Sequence, residues 1–365
     1  MKISSIELAS YQVKLKKPFI TSVRRVDWLE GLVVKVELAD GTFGIGESAP
    51  TALVTGDTKG GIVAAIDEAI RPAIVGMDFD CFEEVTTRLS NCILHNTSAK
   101  SAVDIALYDI FAKRCSMPLY KLLGGSSNQI ETDITISATP LEQTLQDCRE
   151  AIGEGYTILK VKTGKDKAAD AARVAAIRKE VGAGIKILVD ANQGYSPKEA
   201  VSIINKMQEL NADVYLLEQP VNSKDFEGLK YVSENSYVPI LADEAVFSLR
   251  DAIRLITGRI ADMANIKLDK CGGIAQAVKL RDLFGEYGID CMVGCMLEGA
   301  ASVGAAAHFA AATRVVTLAD LDGPLLCESN PFDGGAAFSG PIIRLGNAPG
   351  TGIKGFPKGS LIISY

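Results

Sequence analysis

Residues 185–190 read Ile-Lys-Ile-Leu-Val-Asp, a short apolar run that ends in an acidic residue. The pattern returns at residues 214–218, Val-Tyr-Leu-Leu-Glu, and at residues 240–243, Ile-Leu-Ala-Asp. Short apolar runs of this length, bounded by polar residues, are typical of buried parallel strands. Their recurrence indicates that one unit of strand and helix is repeated along this part of the chain.

Eight runs of this kind occur in the chain, and segments with helical periodicity separate them. Eight strands that alternate with helices predict an α/β fold, namely a modified (β/α)8 TIM barrel. The runs are 133–137, 158–163, 185–190, 214–219, 240–244, 263–268, 291–296 and 315–321.

The chain ahead of these runs has a different pattern, typical of an α+β unit. Residues 32–38 alternate in polarity, Asp40-Gly41 predicts a hairpin turn, and residues 102–115 place their apolar side chains on one helical face. We therefore expect an N-terminal α+β capping domain over the barrel. The predicted bounds are 1–125 for the capping domain, completed by the tail 327–365, and 126–326 for the barrel.

Composition excludes several classes of protein. The 365 residues include 38 Lys and Arg against 45 Asp and Glu, a net charge of −7, which excludes a non-specific nucleic-acid surface. The eight cysteines form no Cys-x-x-Cys pair and there are only two histidines, which argues against a zinc ribbon or a His-dependent triad. No stretch has the pattern of a signal peptide or a membrane span. We expect a cytoplasmic protein with reduced thiols, and a homo-oligomer because barrels of this kind often assemble.

Five charged residues end successive strand runs. Lys162, Asp190, Glu218, Asp243 and Lys267 follow one another at intervals of 24 to 28 residues, the length of one strand-and-helix unit. The carboxyl ends of all barrel strands face one mouth, so these side chains are expected to converge there. A solvated loop or a helix N-cap would explain any one of them, but not the whole set.

The three acids of this set predict a metal site. Carboxylates without histidine or thiolate partners suit a hard cation, and Mg²⁺ keeps open positions for substrate oxygens. We therefore expect one Mg²⁺ per subunit, bound by Asp190, Glu218 and Asp243.

The lysines of the set predict proton transfer. Lys162 and Lys267 end strands two and six, which lie roughly across an eight-stranded barrel. A carboxylate bound to the metal would have a more acidic α-proton, which one lysine could remove while the other returns a proton to the opposite face. Lys160 points the same way as Lys162, because side chains alternate along a strand, and its charge would stabilise an enediolate.

These motifs resemble the enolase superfamily, in its muconate-lactonizing subgroup, and the resemblance covers the whole chain. It implies the same capping domain, barrel, Mg²⁺ site and paired lysines. The motifs are Lys160-Val161-Lys162, Asp190-Ala191-Asn192, Glu218-Gln219-Pro220, Ala242-Asp243-Glu244 and the segment from Asn265 to Gly273.

Asp320-Leu321-Asp322, at the eighth strand, is similar to the dipeptide epimerases of that subgroup. The resemblance implies that Asp320 and Asp322 hold the α-ammonium group of the substrate. A carboxylate pair on one face of a strand is also physically suited to an ammonium group.

Further substrate contacts are implied by the resemblance to the L-Ala-D/L-Glu epimerases. A capping-loop arginine, here Arg24 with Arg25 as a rival, would bind the side-chain carboxylate of the substrate. Thr135, in the motif Glu131-Thr132-Asp133-Ile134-Thr135, would contact the substrate, and Cys295-Met296-Leu297 would line the pocket.

The expected function is that of a Mg²⁺-dependent epimerase that acts on the C-terminal residue of a dipeptide, with L-Ala-Glu from cell-wall peptides as the leading substrate. A cycloisomerase or an o-succinylbenzoate synthase could use the same lysines and metal, but neither needs Asp320 and Asp322. Two further functions stay open, a Schiff-base aldolase that uses one barrel lysine and an inactive barrel that only binds a metabolite.

Overall fold

A computed structural model describes residues 1–21 and 25–363 of the protein. All eight predicted barrel strands are present, each with bounds within two residues of the predicted run. The strands are β1 (Ile3–Ile20), β2 (Arg25–Leu38), β3 (Phe43–Ser48), β4 (Gln129–Glu131), β5 (Ile134–Ile136), β6 (Ile158–Lys162), β7 (Lys186–Asp190), β8 (Leu216–Glu218), β9 (Ile240–Ala242), β10 (Met263–Ile266), β11 (Cys291–Gly294), β12 (Val316–Asp320), β13 (Ala337–Ser339), β14 (Ile342–Arg344) and β15 (Leu361–Ile363).

Helices follow the barrel strands and also cover the first sheet. They are α1 (Lys59–Ala64), α2 (Arg71–Ile74), α3 (Phe82–Asn91), α4 (Thr97–Arg114), α5 (Leu119–Leu122), α6 (Leu141–Gly153), α7 (Lys167–Val181), α8 (Pro197–Glu209), α9 (Phe226–Glu234), α10 (Leu249–Gly258), α11 (Leu268–Cys271), α12 (Ile274–Glu286) and α13 (Ala300–Ala310). A π-helical segment, Ala65–Ile70, joins α1 to α2. No helix in the described ranges has both the length and the apolar character needed to cross a membrane.

Strands β5 to β12 form one parallel sheet in chain order, which curls into a nearly closed barrel. The first and last strands meet through hydrogen bonds that backbone amides donate. The amide of Asp133 donates to the carbonyl of Ala319 at 3.0 Å, and the amide of Leu321 donates to Thr132 Oγ1 at 2.8 Å. The predicted α/β barrel is therefore confirmed.

The N-terminal part forms an antiparallel sheet in the order β15-β1-β2-β3. Strand β15 comes from the tail and pairs with β1, with Ile363 opposite Leu8. Strand β14, also from the tail, pairs with β4 beside the barrel. The tail thus returns to the first sheet as expected, while the domain bounds 1–125 with 327–365, and 126–326, stay a prediction.

Two buried acids of the N-terminal part cap barrel helices. Glu47 in β3 accepts hydrogen bonds from the amides of Gly299, Ala301 and Ser302 at the start of α13. Asp104 in α4 accepts one from the amide of Ala275 at the start of α12. Carboxylates are favourable at helix N-termini, whose first amides lack partners within the helix. Because α12 follows β10 and the short α11, and α13 follows β11, the capping bonds hold the first sheet over the barrel mouth.

Glycine in β3 allows α4 to pack backbone to backbone on the first sheet. A Cβ added at Gly46 would overlap the carbonyl oxygen of Ala102 in α4. We expect Gly46→Ala to lower the free energy of unfolding by roughly 1–3 kcal/mol, as measured by urea unfolding. Gly60→Ala is the matched control, because a Cβ there meets nothing within 4 Å. A Gly46→Ala variant as stable as the control would contradict this packing.

Candidate active site

A cavity lies where the barrel mouth meets the loops of the first sheet. Most of the residues predicted to line a site do line it. The lining residues are Phe19, Thr21, Val54, Thr135, Lys162, Asn192, Glu244, Lys267, Cys295, Met296, Leu297, Asp320, Asp322 and Leu326. The sequence assigned no individual role to five of them, Phe19, Thr21, Val54, Glu244 and Leu326, which come from loops, strand ends and a 3-10 turn (Gly323–Leu326).

The predicted side-chain arginine cannot be placed in this cavity. Arg24 lies outside the described residues. Its rival Arg25 starts β2, is exposed, and has Nη2 3.4 Å from Asp27 Oδ1. The assignment of Arg24 or Arg25 to the substrate side chain therefore stays a prediction.

The two predicted bases reach the cavity from opposite sides of the barrel. Lys162 ends β6 and Lys267 follows β10, and four strand positions separate these strands in the sheet of eight. The Nζ atom of Lys162 lies 2.6 Å from Asp190 Oδ2, and that of Lys267 lies 2.8 Å from Asp243 Oδ2. This geometry suits proton exchange on both faces of a bound α-carbon.

Lys160 lies below the cavity and is completely buried. Its Nζ atom is 2.6 Å from Asp320 Oδ2, 2.8 Å from Glu218 Oε2 and 3.3 Å from Asp190 Oδ2. Burial alone would lower the pKa of Lys160, but these carboxylates raise it well above its ordinary value. The raised pKa favours the charged ammonium form of Lys160.

The three predicted metal ligands lie side by side. Asp190 and Glu218 are paired opposite each other in β7 and β8, and Asp243 follows β9 directly. Burial alone would raise the pKa of Asp190 and of Asp243, but neighbouring lysines lower both below the ordinary value. For Glu218 burial prevails over Lys160, and its pKa is raised to about 7.

Neighbouring polar groups orient these carboxylates. Asn265 Nδ2 donates to Glu218 Oε1 at 2.9 Å, and Lys270 Nζ lies 2.6 Å from Asp243 Oδ1. Lys270 also binds the backbone carbonyl oxygens of Asp243 and Asn265. The sequence motif contained Lys270, but its contact with Asp243 depends on the helical turn α11.

The donor set fits a divalent cation. One oxygen of each carboxylate, namely Asp190 Oδ2, Glu218 Oε2 and Asp243 Oδ2, faces a lysine Nζ within 2.8 Å. Three buried oxygen donors that already face positive charge match the preference of Mg²⁺ for oxygen ligands.

A second acidic cluster lies on the wall formed by β5 and β12. One oxygen each from Asp133, Asp320 and Asp322 lie within 4.8 Å of one another, close enough for a bound cation. Asp322 Oδ2 accepts a hydrogen bond from the amide of Thr135 at 2.7 Å. Sequence reasoning gave Asp133 no role, although strand alternation points it the same way as Thr135.

The segment Cys295-Met296-Leu297 forms an apolar wall of the cavity. Burial raises the pKa of the Cys295 thiol well above its ordinary value, which disfavours the reactive thiolate form. The amide of Met296 donates to Glu298 Oε1 at 2.5 Å, which fixes the backbone of this segment.

Family models match both parts of the chain. Residues 4–124 match the N-terminal domain of mandelate racemase / muconate lactonizing enzyme, and residues 143–355 match the enolase C-terminal domain-like family. The chain belongs to this enolase-like family. The resemblance read from the motifs is therefore confirmed.

Named relatives of this enolase-like protein match over nearly their full length. The L-Ala-D/L-Glu epimerase of Clostridium acetobutylicum is 47% identical over 97% of this chain and 99% of its own. The substrate-liganded L-Ala-D/L-Glu epimerase of Bacillus subtilis is 42% identical, with a TM-score of 0.95 over 97% of this chain and 99% of its own. The dipeptide epimerase of Enterococcus faecalis, complexed with Mg and L-Leu-L-Tyr, is 38% identical, with a TM-score of 0.94 over 97% of this chain and 100% of its own.

Proposed function

We propose that this enolase-like protein is a Mg²⁺-dependent dipeptide epimerase, an isomerase that inverts the α-carbon of the C-terminal residue. L-Ala-D/L-Glu is the leading substrate. The observation that carries the proposal is one cavity with Lys162 and Lys267 on opposite sides and Asp320 and Asp322 on its wall. Two relatives named L-Ala-D/L-Glu epimerase and one named hydrophobic dipeptide epimerase support it at 38 to 47% identity.

Asp190, Glu218 and Asp243 would hold one Mg²⁺ per chain. When bound, the ion would stabilise the negative charge that develops on the substrate carboxylate as the α-proton leaves. The buried ammonium group of Lys160, which contacts Asp190 and Glu218, adds positive charge beside these residues.

The two lysines of the cavity carry the proton transfer. One of Lys162 and Lys267, in its neutral form, takes the proton from the α-carbon, and the other, as an ammonium group, delivers a proton to the opposite face. The exchange inverts the carbon and leaves the two lysines with swapped protonation states. General acid–base catalysis of this kind contributes roughly 10²–10⁴-fold to the rate, so fixed charges must supply the rest.

The wall of the cavity recognises the dipeptide. Asp320 and Asp322 would bind the α-ammonium group, and Thr135 with residues 295–297 would contact the rest of the backbone. Arg24 would pair with the side-chain carboxylate of the C-terminal Glu. The two aspartates separate the proposal from a cycloisomerase or an o-succinylbenzoate synthase, whose substrates do not require them.

A dipeptide library in deuterated water with Mg²⁺ tests the proposal. We expect L-Ala-L-Glu and L-Ala-D-Glu to gain one deuterium at the α-carbon of Glu, measured as mass gain. The Asp322→Asn variant should lose roughly 10–100-fold in kcat/KM, because a charged hydrogen bond to the ammonium group is worth about 1.5–3 kcal/mol. N-acetylated L-Ala-L-Glu should gain no deuterium with either protein.

Three outcomes would count against the proposal. They are a screen in which no dipeptide gains mass, unchanged turnover in Asp322→Asn, and a covalent lysine adduct trapped by borohydride. The last would favour a Schiff-base aldolase. A screen in which apolar dipeptides exceed L-Ala-Glu would keep the reaction but change the substrate.

We also propose a cytoplasmic location and a homo-oligomeric state. All eight cysteines are free thiols, which suits a reducing compartment. The oligomeric state can be measured by light scattering of the purified protein.

A further inference from the structure

A buried carboxyl group lies next to the pair that would bind the substrate ammonium group. Asp133 has no exposed surface, and it is absent from the cavity lining among the described residues. One of its oxygens is nevertheless within 4.8 Å of one oxygen each of Asp320 and Asp322. Any effect of Asp133 on a substrate would therefore pass through this pair.

The surroundings of Asp133 favour its neutral form. In the ranges 1–21 and 25–363, no N–H or O–H donor bonds to either of its carboxyl oxygens. Lys160 is the neighbouring cation, but its Nζ atom is already shared among three other carboxylates. An ionised carboxylate without donors in a dry interior is strongly disfavoured. Burial, and then the charge of Asp320, raise the pKa of Asp133 well above its ordinary value.

A neutral Asp133 has a suitable acceptor. One of its carboxyl oxygens lies within 4.8 Å of a carboxylate oxygen of Asp320, and Asp320 Oδ2 is itself held by Lys160 Nζ at 2.6 Å. An O–H donated by Asp133 would fix the orientation of Asp320 from a second direction.

We propose that Asp133 is a positioning residue that keeps its proton and donates it in a hydrogen bond to Asp320. The inference rests on the proposed function, which assigns Asp320 and Asp322 to the α-ammonium group. With Asp133 neutral, the pair carries two negative charges. That of Asp320 is partly opposed by Lys160, and a single ammonium group can bind between them. An ionised Asp133 would add a third charge and suit a divalent cation instead. By staying neutral, Asp133 thus keeps the charge of this wall suited to a primary amine.

Two variants with different donors test the role. Asp133→Asn keeps the shape of the side chain and supplies an N–H donor to Asp320, whereas Asp133→Ala removes the donor. We expect Asp133→Asn to keep KM for L-Ala-L-Glu within about threefold of the parent, and Asp133→Ala to raise KM about tenfold or more with a smaller change in kcat. If Asp133→Asn raises KM as much as Asp322→Asn does, Asp133 is an ionised acceptor and the proposal is wrong.

Two measurements without turnover separate this proposal from the proposed function. An infrared difference spectrum between the parent and Asp133→Asn should show the carbonyl stretch of a protonated carboxyl group, shifted in deuterated water. Titration with Mn²⁺ should give one bound ion per chain in both proteins. Absence of the carbonyl band would overturn the role of Asp133. A second Mn²⁺ ion that binds to the parent protein but not to Asp133→Asn would overturn it as well. If no dipeptide is epimerised while both results hold, only the proposed function fails.

Discussion

Lys162→Ala and Lys267→Ala are each expected to lose epimerisation, while each variant still exchanges the α-proton of one epimer. Each variant keeps the lysine on one side of the cavity and lacks its partner on the other side. One variant should therefore exchange only the L,L dipeptide with deuterated water and the other only the L,D dipeptide. Turnover should fall by roughly 10²–10⁴-fold or more, the usual contribution of a general acid or base. Proton NMR of the α-proton, followed separately for each epimer, measures both effects.

Lys198→Ala is the control for these variants. Lys198 is exposed on α8 and lies far along the chain from the ends of β6 and β10, where Lys162 and Lys267 lie. Its loss should leave both exchange rates unchanged. Exchange of both epimers at parental rates by Lys162→Ala and Lys267→Ala would show that the two lysines are not the bases.

Removing one carboxylate of the predicted metal site is expected to have an effect of similar size. Glu218→Gln keeps the shape of the side chain but removes its charge. Loss of a group that only supports a metal ligand lowers metal affinity by roughly 10–100-fold. Loss of a ligand itself should cost more, so we expect the Mg²⁺ affinity, measured by calorimetry, to fall by more than this. Turnover should fall with it, and exhaustive chelation of the parent protein should abolish turnover until Mg²⁺ is restored.

Glu286→Gln is the matched control, because Glu286 is an exposed acid at the end of α12. Its affinity for Mg²⁺ and its turnover should equal those of the parent. Full turnover after exhaustive chelation, or parental Mg²⁺ affinity in Glu218→Gln, would remove the metal from the mechanism.

The sequence predicts the barrel well because its signal is local and repeated. Each strand is a short apolar run, and each of Lys162, Asp190 and Glu218 occupies the last position of its strand. The carboxyl ends of barrel strands converge whatever the loops do, so the sequence alone places these side chains at the mouth. Asp243 and Lys267 follow their strands by one residue, and the same argument applies to them.

Partners of the charged residues could not be predicted in the same way. The sequence predicts Lys160 as a cation beside the substrate, but in the fold it is shared among carboxylates from β7, β8 and β12. Which of several neighbouring acids a lysine meets depends on barrel tilt and side-chain packing, which leave no periodic signal. Val54 and Leu326 reach the cavity from a loop and a 3-10 turn, whose shapes depend on what they pack against.

Asp133 is a different case, because a signal for it was present. It lies two residues before Thr135, and residues two apart on a strand share a face. The motif implies a role for Thr135 alone, and the complete burial of Asp133 is visible only in the fold.

The pairing of β15 with β1 has a consequence for synthesis of the chain. Residues 361–363 are made after the whole barrel, yet they cover the outer edge of β1, which is made long before them. Until they arrive, that edge exposes unpaired amides and carbonyls to other nascent chains, and exposed strand edges promote aggregation. A product that stops before Leu361 would keep this open edge, so even a short truncation far from the catalytic lysines should lower the yield of native protein.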